Sequence, residues 1–325
     1  MNIFVTGGAG YIGSATAEAL LNAGHSVTVY DSLVTGHRAA VPKDAEFIHA
    51  SLDDSHALAE ALTSKKYDAI MHFAAFIEAG ESMKDPGKFF RNNFTNSLQL
   101  METAVKAGVK KLVFSSTAAV YRSSEEPLTE ESPLGPTNVY GHTKLMTEQA
   151  LNWYCEIYGL HFAVLRYFNA CGALPGRGEA HQPESHLIPR VLQIALGQAE
   201  SATIFGTDYP TPDGTCIRDY IHIADLVSAH ILALDALEKR QKMTYNVGSG
   251  NGFSVREVIE AARKVTGHAI PAIEAPRRPG DSARLVASPD RIKSELGWNP
   301  QFTNLHDILS SAWEWHMSHP HGYEK

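Results

Sequence analysis

The chain opens on a short apolar run, Asn2–Thr6, which breaks at Gly7-Gly8-Ala9-Gly10-Tyr11-Ile12-Gly13. Helical spacing of apolar residues then holds from about Ser14 to Ala23 and stops at Gly24, and a second apolar run, Ser26–Tyr30, ends in Asp31. The alternation continues. Runs with strand character occur at Glu46–His49, Ala69–His72, Lys111–Ser115 and Phe162–Arg166, and helical spacing returns near Ser55–Ser64, Gly87–Ala107 and Tyr140–Tyr158. This order predicts an α/β fold with a doubly wound parallel sheet, whose ligands lie beyond the carboxyl ends of the strands. Distinctive residues stand at those ends: His72-Phe73-Ala74-Ala75, Ser115-Ser116-Thr117 and Tyr167-Phe168-Asn169.

After about residue 170 the pattern loosens. Gly and Pro become frequent at 172–178 and 209–214, while helical spacing persists near Leu187–Leu196, Ile223–Glu238, Val255–Thr266 and Leu305–His316. No flexible linker, repeat or low-complexity stretch separates the halves. The expectation is a Rossmann-type dinucleotide-binding domain over 1–170 and a smaller mixed α/β substrate domain over 171–325, with some of its segments packed back on the first.

Composition narrows the class. A length of 325 residues suits one large domain or two smaller ones. The net charge of −8 gives no reason to expect nucleic acid or an anionic membrane as partner. Cys155, Cys171 and Cys216 are far apart and form no CxxC pattern, so neither a disulfide framework nor a metal site is expected, which fits a reducing cytoplasm. A strand beginning at residue 2 leaves no signal peptide to expect, and no apolar run approaches the ~20 residues of a membrane span.

Strand, glycine turn, helix and strand follow one another within about 30 residues, the context that a dinucleotide fingerprint requires. Gly7, Gly10 and Gly13 let the backbone turn tightly and approach a pyrophosphate, whose charge sits on the helix N-terminus. Asp31 would accept hydrogen bonds from both ribose hydroxyls and repel a 2′-phosphate, so NAD is expected rather than NADP. The spacing is similar to the T-G-G-x-G-x-x-G form of the extended short-chain dehydrogenase/reductase family.

Tyr140 and Lys144 form an i, i+4 pair on a predicted helix. A free tyrosine titrates near ~10, so ionising it at neutral pH takes roughly 4 kcal/mol of favourable field. One nearby cation usually supplies about 1–3 units. Lys144 is therefore marginal alone, and an oxidised nicotinamide would be the second positive charge.

Beyond these motifs, Arg166-Tyr167-Phe168-Asn169, Phe205–Thr211, Asp213–His222 and Pro276–Asp281 extend the pattern through the second half. With them the whole chain resembles the UDP-glucose 4-epimerase (UDP-galactose 4-epimerase) family. The resemblance implies that NAD is held by Tyr11, Ile12, Asp31, Ser32, Leu33, Thr35 and Gly36, then by Phe73, Ala74, Ala75, Asn92, Ser115 and Phe168. Ser51 and Leu52 stand where an acidic residue often meets the adenine, and Ile77 where a lysine often reaches the cofactor. For the nucleotide sugar it implies Asn169, His186, Leu187, Thr203, Phe205, Arg218, Arg278 and Asp281. Two arginines suit a diphosphate, since the guanidinium fork pairs with phosphate oxygens. Phe205 could flank a uracil, and Asp281 could accept from a ribose hydroxyl.

The implied reaction uses Tyr140 as base on the sugar O4, Thr117 on the same oxygen, and NAD as reversible hydride acceptor through a transient 4-keto sugar. A homodimer through the helices near 87–107 and 140–158 is also implied. A 4,6-dehydratase would need Asp and Glu directly after Thr117, where this chain has Ala118 and Ala119. A UDP-glucuronate 4-epimerase or decarboxylase, and a non-catalytic NAD-binding sensor, are the other readings. Leu285, where the family often places a tyrosine near the sugar 2-substituent, implies that UDP-GlcNAc and UDP-GalNAc are also accepted.

Overall fold

The computed structural model describes residues 1–182, 184–278 and 281–323. Its first half runs β1 (Asn2–Thr6), α1 (Tyr11–Asn22), β2 (Ser26–Asp31), β3 (Glu46–His49), α2 (Ser55–Thr63), β4 (Ala69–His72), α3 (Ala79–Ser82), α4 (Pro86–Phe89), α5 (Asn96–Lys106), β5 (Lys111–Thr117), α6 (Val139–Tyr158) and β6 (His161–Tyr167). The second half adds β7 (Asn169–Cys171), α7 (Leu187–Ala195), β8 (Ala202–Phe205), β9 (Ile217–His222), α8 (Ile223–Ala236), β10 (Lys242–Val247), β11 (Gly252–Ser254), α9 (Val255–Thr266), β12 (Ala272–Ala275), β13 (Arg284–Leu285), α10 (Asp290–Leu296) and α11 (Leu305–Ser318).

Seven strands form the predicted parallel sheet, in the order β10-β6-β5-β4-β1-β2-β3. The strand period of two divides its core. Ile3 and Val5 of β1 point to one face, with Leu20 of α1 and Leu226 of α8. Phe4 points to the other, with Leu58 of α2, Leu100 of α5 and Leu151 of α6. Both faces are covered, which is why the strands read as nearly continuous apolar runs.

Two departures from the sequence reading bear on the large sheet and its cleft. The expected helix over Gly87–Ala107 is α4, a π turn at Phe90–Thr95, and α5. A π turn places an extra residue in the helical circuit, so the side chains that follow face a direction the 3.6 period does not forecast. Asn93 holds that turn by accepting from Phe76 N–H and donating to Phe76 C=O, both at 2.9 Å. The second departure is β10, which sequence reading leaves without a strand. Its alternation of Met243, Tyr245 and Val247 joins the core on the α1 face, and it pairs in parallel with β6 from Lys242↔Phe162 to Val247↔Tyr167.

The second half has its own smaller sheet. β9 is flanked by antiparallel β11 and parallel β13, and β7 also pairs with it. α7, α9 and α11 bury Val191, Val258 and Ile308 in a third core. Asp219 of β9, fully buried, accepts from the backbone N–H of Ser249 at 2.8 Å and of Gly250 and Ala287 at 3.0 Å. One carboxylate thus fastens two separate segments, the loop at 249–250 and the stretch at Ala287, around β9.

Candidate active site

At the carboxyl end of the large sheet lies a cleft of about 910 Å³. Its floor is the glycine turn. Gly7 has φ +72°, and a Cβ there would stand 2.5 Å from Ala74 N, while a Cβ on Gly13 would stand 2.2 Å from Gly7 O. The turn therefore tolerates no side chain at either position. α1 starts at Gly10 with no side-chain cap, which leaves its first amides and the positive end of its dipole to an anion. This geometry fits the pyrophosphate of a dinucleotide.

Asp31 is buried at the end of β2 and braces that floor. Its carboxylate accepts from Ala9 N–H at 2.9 Å and from Leu33 N–H at 2.8 Å. Burial raises its pKa against the lowering effect of those two donors. Each oxygen keeps a further acceptor direction, and Asp31 lines the cleft.

Most cofactor residues expected from the sequence meet here: Gly10, Tyr11, Ile12, Ser32, Thr35, Gly36, Ser51, Leu52, Phe73, Ala75, Asn92, Ser115 and Phe168 line the same cleft. Leu33 does not line it. That residue has φ +58° and packs against the core beside β2, contributing its N–H to Asp31. Arg91, Asn96 and Gln99 also line the cleft and were not anticipated, because the π turn sets which side chains of this segment face inward; Lys88 of α4 lines it as well. Ile77 is in the wall as well.

Tyr140, Lys144 and Thr117 face the same space. α6 begins at Asn138, whose side chain accepts from Gly141 N–H at 2.8 Å. A Cβ on Gly141 would be 2.3 Å from the Ala119 carbonyl oxygen, so only glycine lets α6 rest against the turn after β5. That contact sets Tyr140 opposite Thr117. Lys144 is buried, donates to the Ser115 carbonyl at 2.7 Å and lies over the Phe114 ring at 4.8 Å.

The electrostatics differ from the sequence expectation. Burial pushes the Tyr140 phenol up to about 12, despite the lowering effect of the Thr117 side chain, and Glu78 adds to the rise. Burial also brings Lys144 down to about 7, with Glu148 acting against it. In the cofactor-free protein, desolvation thus outweighs the helix pairing of the two side chains. A phenol so placed stays protonated at neutral pH until a further positive charge enters the cleft.

The residues expected to hold the nucleotide sugar divide in two. Asn169 and His186 line the cleft. Arg218, Arg278, Asp281 and Phe205 form a neighbouring group: Asp281 lies 3.5 Å from Arg218 and 3.0 Å from Arg278, whose guanidinium is 4.6 Å from the Phe205 ring centroid. Thr203 is on β8, Leu187 opens α7, and Leu285 of β13 stands beside Arg218 in register. Leu285 also packs against the buried group containing Phe168. Asn169 joins the two groups, donating to the Asp219 carbonyl at 2.7 Å. Pro279 and Gly280 of the Pro276–Asp281 motif lie outside the described residues. Burial alone would lower His186, but Glu179 and Glu184 outweigh it and hold the imidazole protonated above its ordinary range.

Residues 3–248 match the NAD dependent epimerase/dehydratase family. The chain belongs to this family. Within it, the UDP-glucose 4-epimerase of Halalkalibacterium halodurans is 51% identical over 99% of this chain and 98% of its own. A crystal structure of a UDP-glucose 4-epimerase superposes with a TM-score of 0.97 at 49% identity, covering 100% of both chains. The Bifidobacterium longum UDP-glucose 4-epimerase in complex with NAD⁺ and UDP has a TM-score of 0.95 at 36% identity, covering 99% of this chain and 100% of its own.

The burial of Lys144 has a measurable consequence. Its folded pKa lies below its unfolded one, so between about 7 and 10.5 the unfolded chain binds the extra proton and stability rises with pH. Urea unfolding of the cofactor-free protein across that window should show a steeper rise in the parent than in Lys144→Met. Equal slopes would contradict the burial effect.

Proposed function

We propose that the chain interconverts UDP-glucose and UDP-galactose by inverting C4 of the sugar, with NAD in the cleft, as a cytoplasmic enzyme of galactose metabolism. The observation that carries this reading is the meeting of Tyr140, Thr117 and buried Lys144 in a cleft whose glycine floor suits a dinucleotide. The body built on β1–β6, completed by β10 and α8, holds the cofactor. The group around Arg218, Phe205, Arg278 and Asp281 holds the UDP moiety.

When bound, NAD supplies a reversible hydride acceptor at C4. The chain's own residues handle the proton and the geometry. Tyr140 takes the proton from the sugar O4 as the 4-keto sugar forms and returns it after the sugar has turned its other face. Thr117 can donate to and accept from the same oxygen, since a hydroxyl does both. Lys144, fixed on the Ser115 carbonyl, lines the same cleft as the phenol and adds positive charge there in its protonated form. Proton transfer of this kind typically contributes about 10²–10⁴-fold to the rate. Arg218 and Arg278 have the fork geometry for a diphosphate, and their contacts with Asp281 orient both guanidiniums. Ala118 and Ala119 provide no carboxyl group for eliminating water from the sugar, which separates the reading from a dehydratase.

The partner is a second copy of the chain. Trp153, Ile157 and Tyr158 on α6 are 68%, 65% and 52% exposed, an apolar face of the kind that pairing would bury. The three cysteines are free and buried, in keeping with a reducing compartment. No helix among the described residues is long and apolar enough to cross a membrane.

Three outcomes follow. Purified protein should convert UDP-galactose without added NAD, and Tyr140→Phe should abolish turnover while NAD remains bound; activity near the parent level in that variant would remove Tyr140 from its role. UDP-GlcNAc and UDP-GalNAc should also interconvert, because Leu285 is smaller than the tyrosine that the family often places there, and Leu285→Tyr should reduce that conversion by about tenfold or more relative to the glucose pair. No conversion of the acetylated pair by the parent defeats this assignment. Light scattering should give twice the chain mass, and Trp153→Glu should shift it toward the monomer. A parent that scatters as a monomer rules the pairing out.

A further inference from the structure

Between β7 and α7 the chain reads Glu179-x-His-x-x-Glu-x-His186, and these four side chains converge. One ligand-type atom from each of Glu179, His181, Glu184 and His186 lies within 4.8 Å of the others. His181 Nδ1 is 2.8 Å from Glu179 Oε1, and His186 Nδ1 is 3.0 Å from Glu179 Oε1 and 2.8 Å from Glu184 Oε1. The two carboxylates are nearly sealed from solvent, with 6% and 4% of their side chains exposed. Among the described residues, the ion-pair partners of both are these two imidazoles.

We propose that Glu179, His181, Glu184 and His186 form a structural site for one divalent cation of the zinc class.

Buried carboxylates must be paired or must coordinate a metal. Here two of them converge on a single nitrogen, His186 Nδ1. One proton on that nitrogen is shared between two acceptors, whereas a cation at the same point is held by both. The donor set selects the ion. Two imidazole nitrogens favour zinc and its transition-metal neighbours over magnesium or calcium, which take all-oxygen shells. Four protein ligands complete a tetrahedron with no open position, which marks a structural rather than a catalytic ion. Zinc bonds of about 2.0–2.1 Å place ligand atoms about 3.4 Å apart, so a modest contraction of this cluster closes the site. Nothing in the cysteine pattern signals this, since the four ligands are histidines and glutamates.

The position indicates what the ion does. Glu179, His181 and His186 line the cleft, and His186 leads directly into α7. The Tyr11 hydroxyl donates to the Gly172 carbonyl at 2.6 Å at the start of the same connection. A cation joining residues 179 and 186 fastens the far end. The connection is then pinned at both ends, and the wall of the cleft is held while ligands enter and leave.

The test uses the full chain purified without chelator, with Zn²⁺ as probe. Elemental analysis should give one zinc per chain, or one equivalent taken up after dialysis against chelator, with Mg²⁺ in large excess failing to displace it. His181→Ala should weaken Zn²⁺ binding by more than about tenfold and should lose the rise in Tm that Zn²⁺ produces in the parent. Glu184→Gln provides the same readout should His181→Ala not fold, and the exposed His306→Ala should bind as the parent does. Failure of the parent to take up a stoichiometric zinc, displacement by Mg²⁺, or parent-like binding in both His181→Ala and Glu184→Gln would overturn the proposal.

Discussion

The close seating of α6 against the turn after β5 is the contact on which the reactive geometry depends. Gly141 lies so near the Ala119 carbonyl that any side chain would collide. With that approach, Tyr140 and Lys144 enter the cleft from one side and Thr117 from the other. A methyl group at Gly141 would displace the helix, and the three side chains would lose their common focus. Asn138 reinforces the arrangement by capping the helix through Gly141 N–H, and Arg166 of β6 ties α6 to the sheet through Glu148, with Nη2–Oε2 at 2.6 Å. Because that ion pair is buried, removing one partner would leave a costly unpaired charge. It therefore resists sliding of α6 along the sheet.

Burial is the second constraint, and it acts on charge. The cleft raises Tyr140 and lowers Lys144, each toward its neutral form. The nearby His72 is pressed down to about 3, firstly by burial and then by Lys144, and bridges Thr6 and Ser97 through its two nitrogens at 2.7 and 2.8 Å. The resting site thus carries little free charge on this side. Such a site responds strongly to a charge brought in by a ligand, because the surrounding low dielectric screens it weakly. Reactivity then depends on occupancy rather than on the protein alone.

The second half of the chain serves the same cleft by folding back on it. β10 extends the parallel sheet beyond β6, and α8 covers the α1 face. β7 leaves the sheet and pairs with β9, which carries Arg218. Asn169 and Asp219 link the cleft to the arginine group through one hydrogen bond. The cleft and the arginine group are therefore joined by covalent and hydrogen-bonded structure, with no flexible linker between them among the described residues.

What could be read from the sequence alone follows from short-range physics. Periods of two and 3.6, glycine punctuation and the strand–turn–helix context locate β1 to β6 and most helices, and they mark the glycine turn, Asp31, Thr117, Tyr140 and Lys144. These signals are local because backbone conformation and face of burial are set within a few residues. The π turn at Phe90–Thr95 escaped because its cause is Asn93 reaching Phe76, a contact between segments. β10 showed alternation but found its meaning only beside β6. The pKa values of Tyr140 and Lys144, and the convergence of Glu179, His181, Glu184 and His186 at the cleft wall, were decided by tertiary structure. Desolvation depends on what the rest of the chain packs around a group, and the four residues of 179–186, though close in sequence, are brought to one point only by the folded connection.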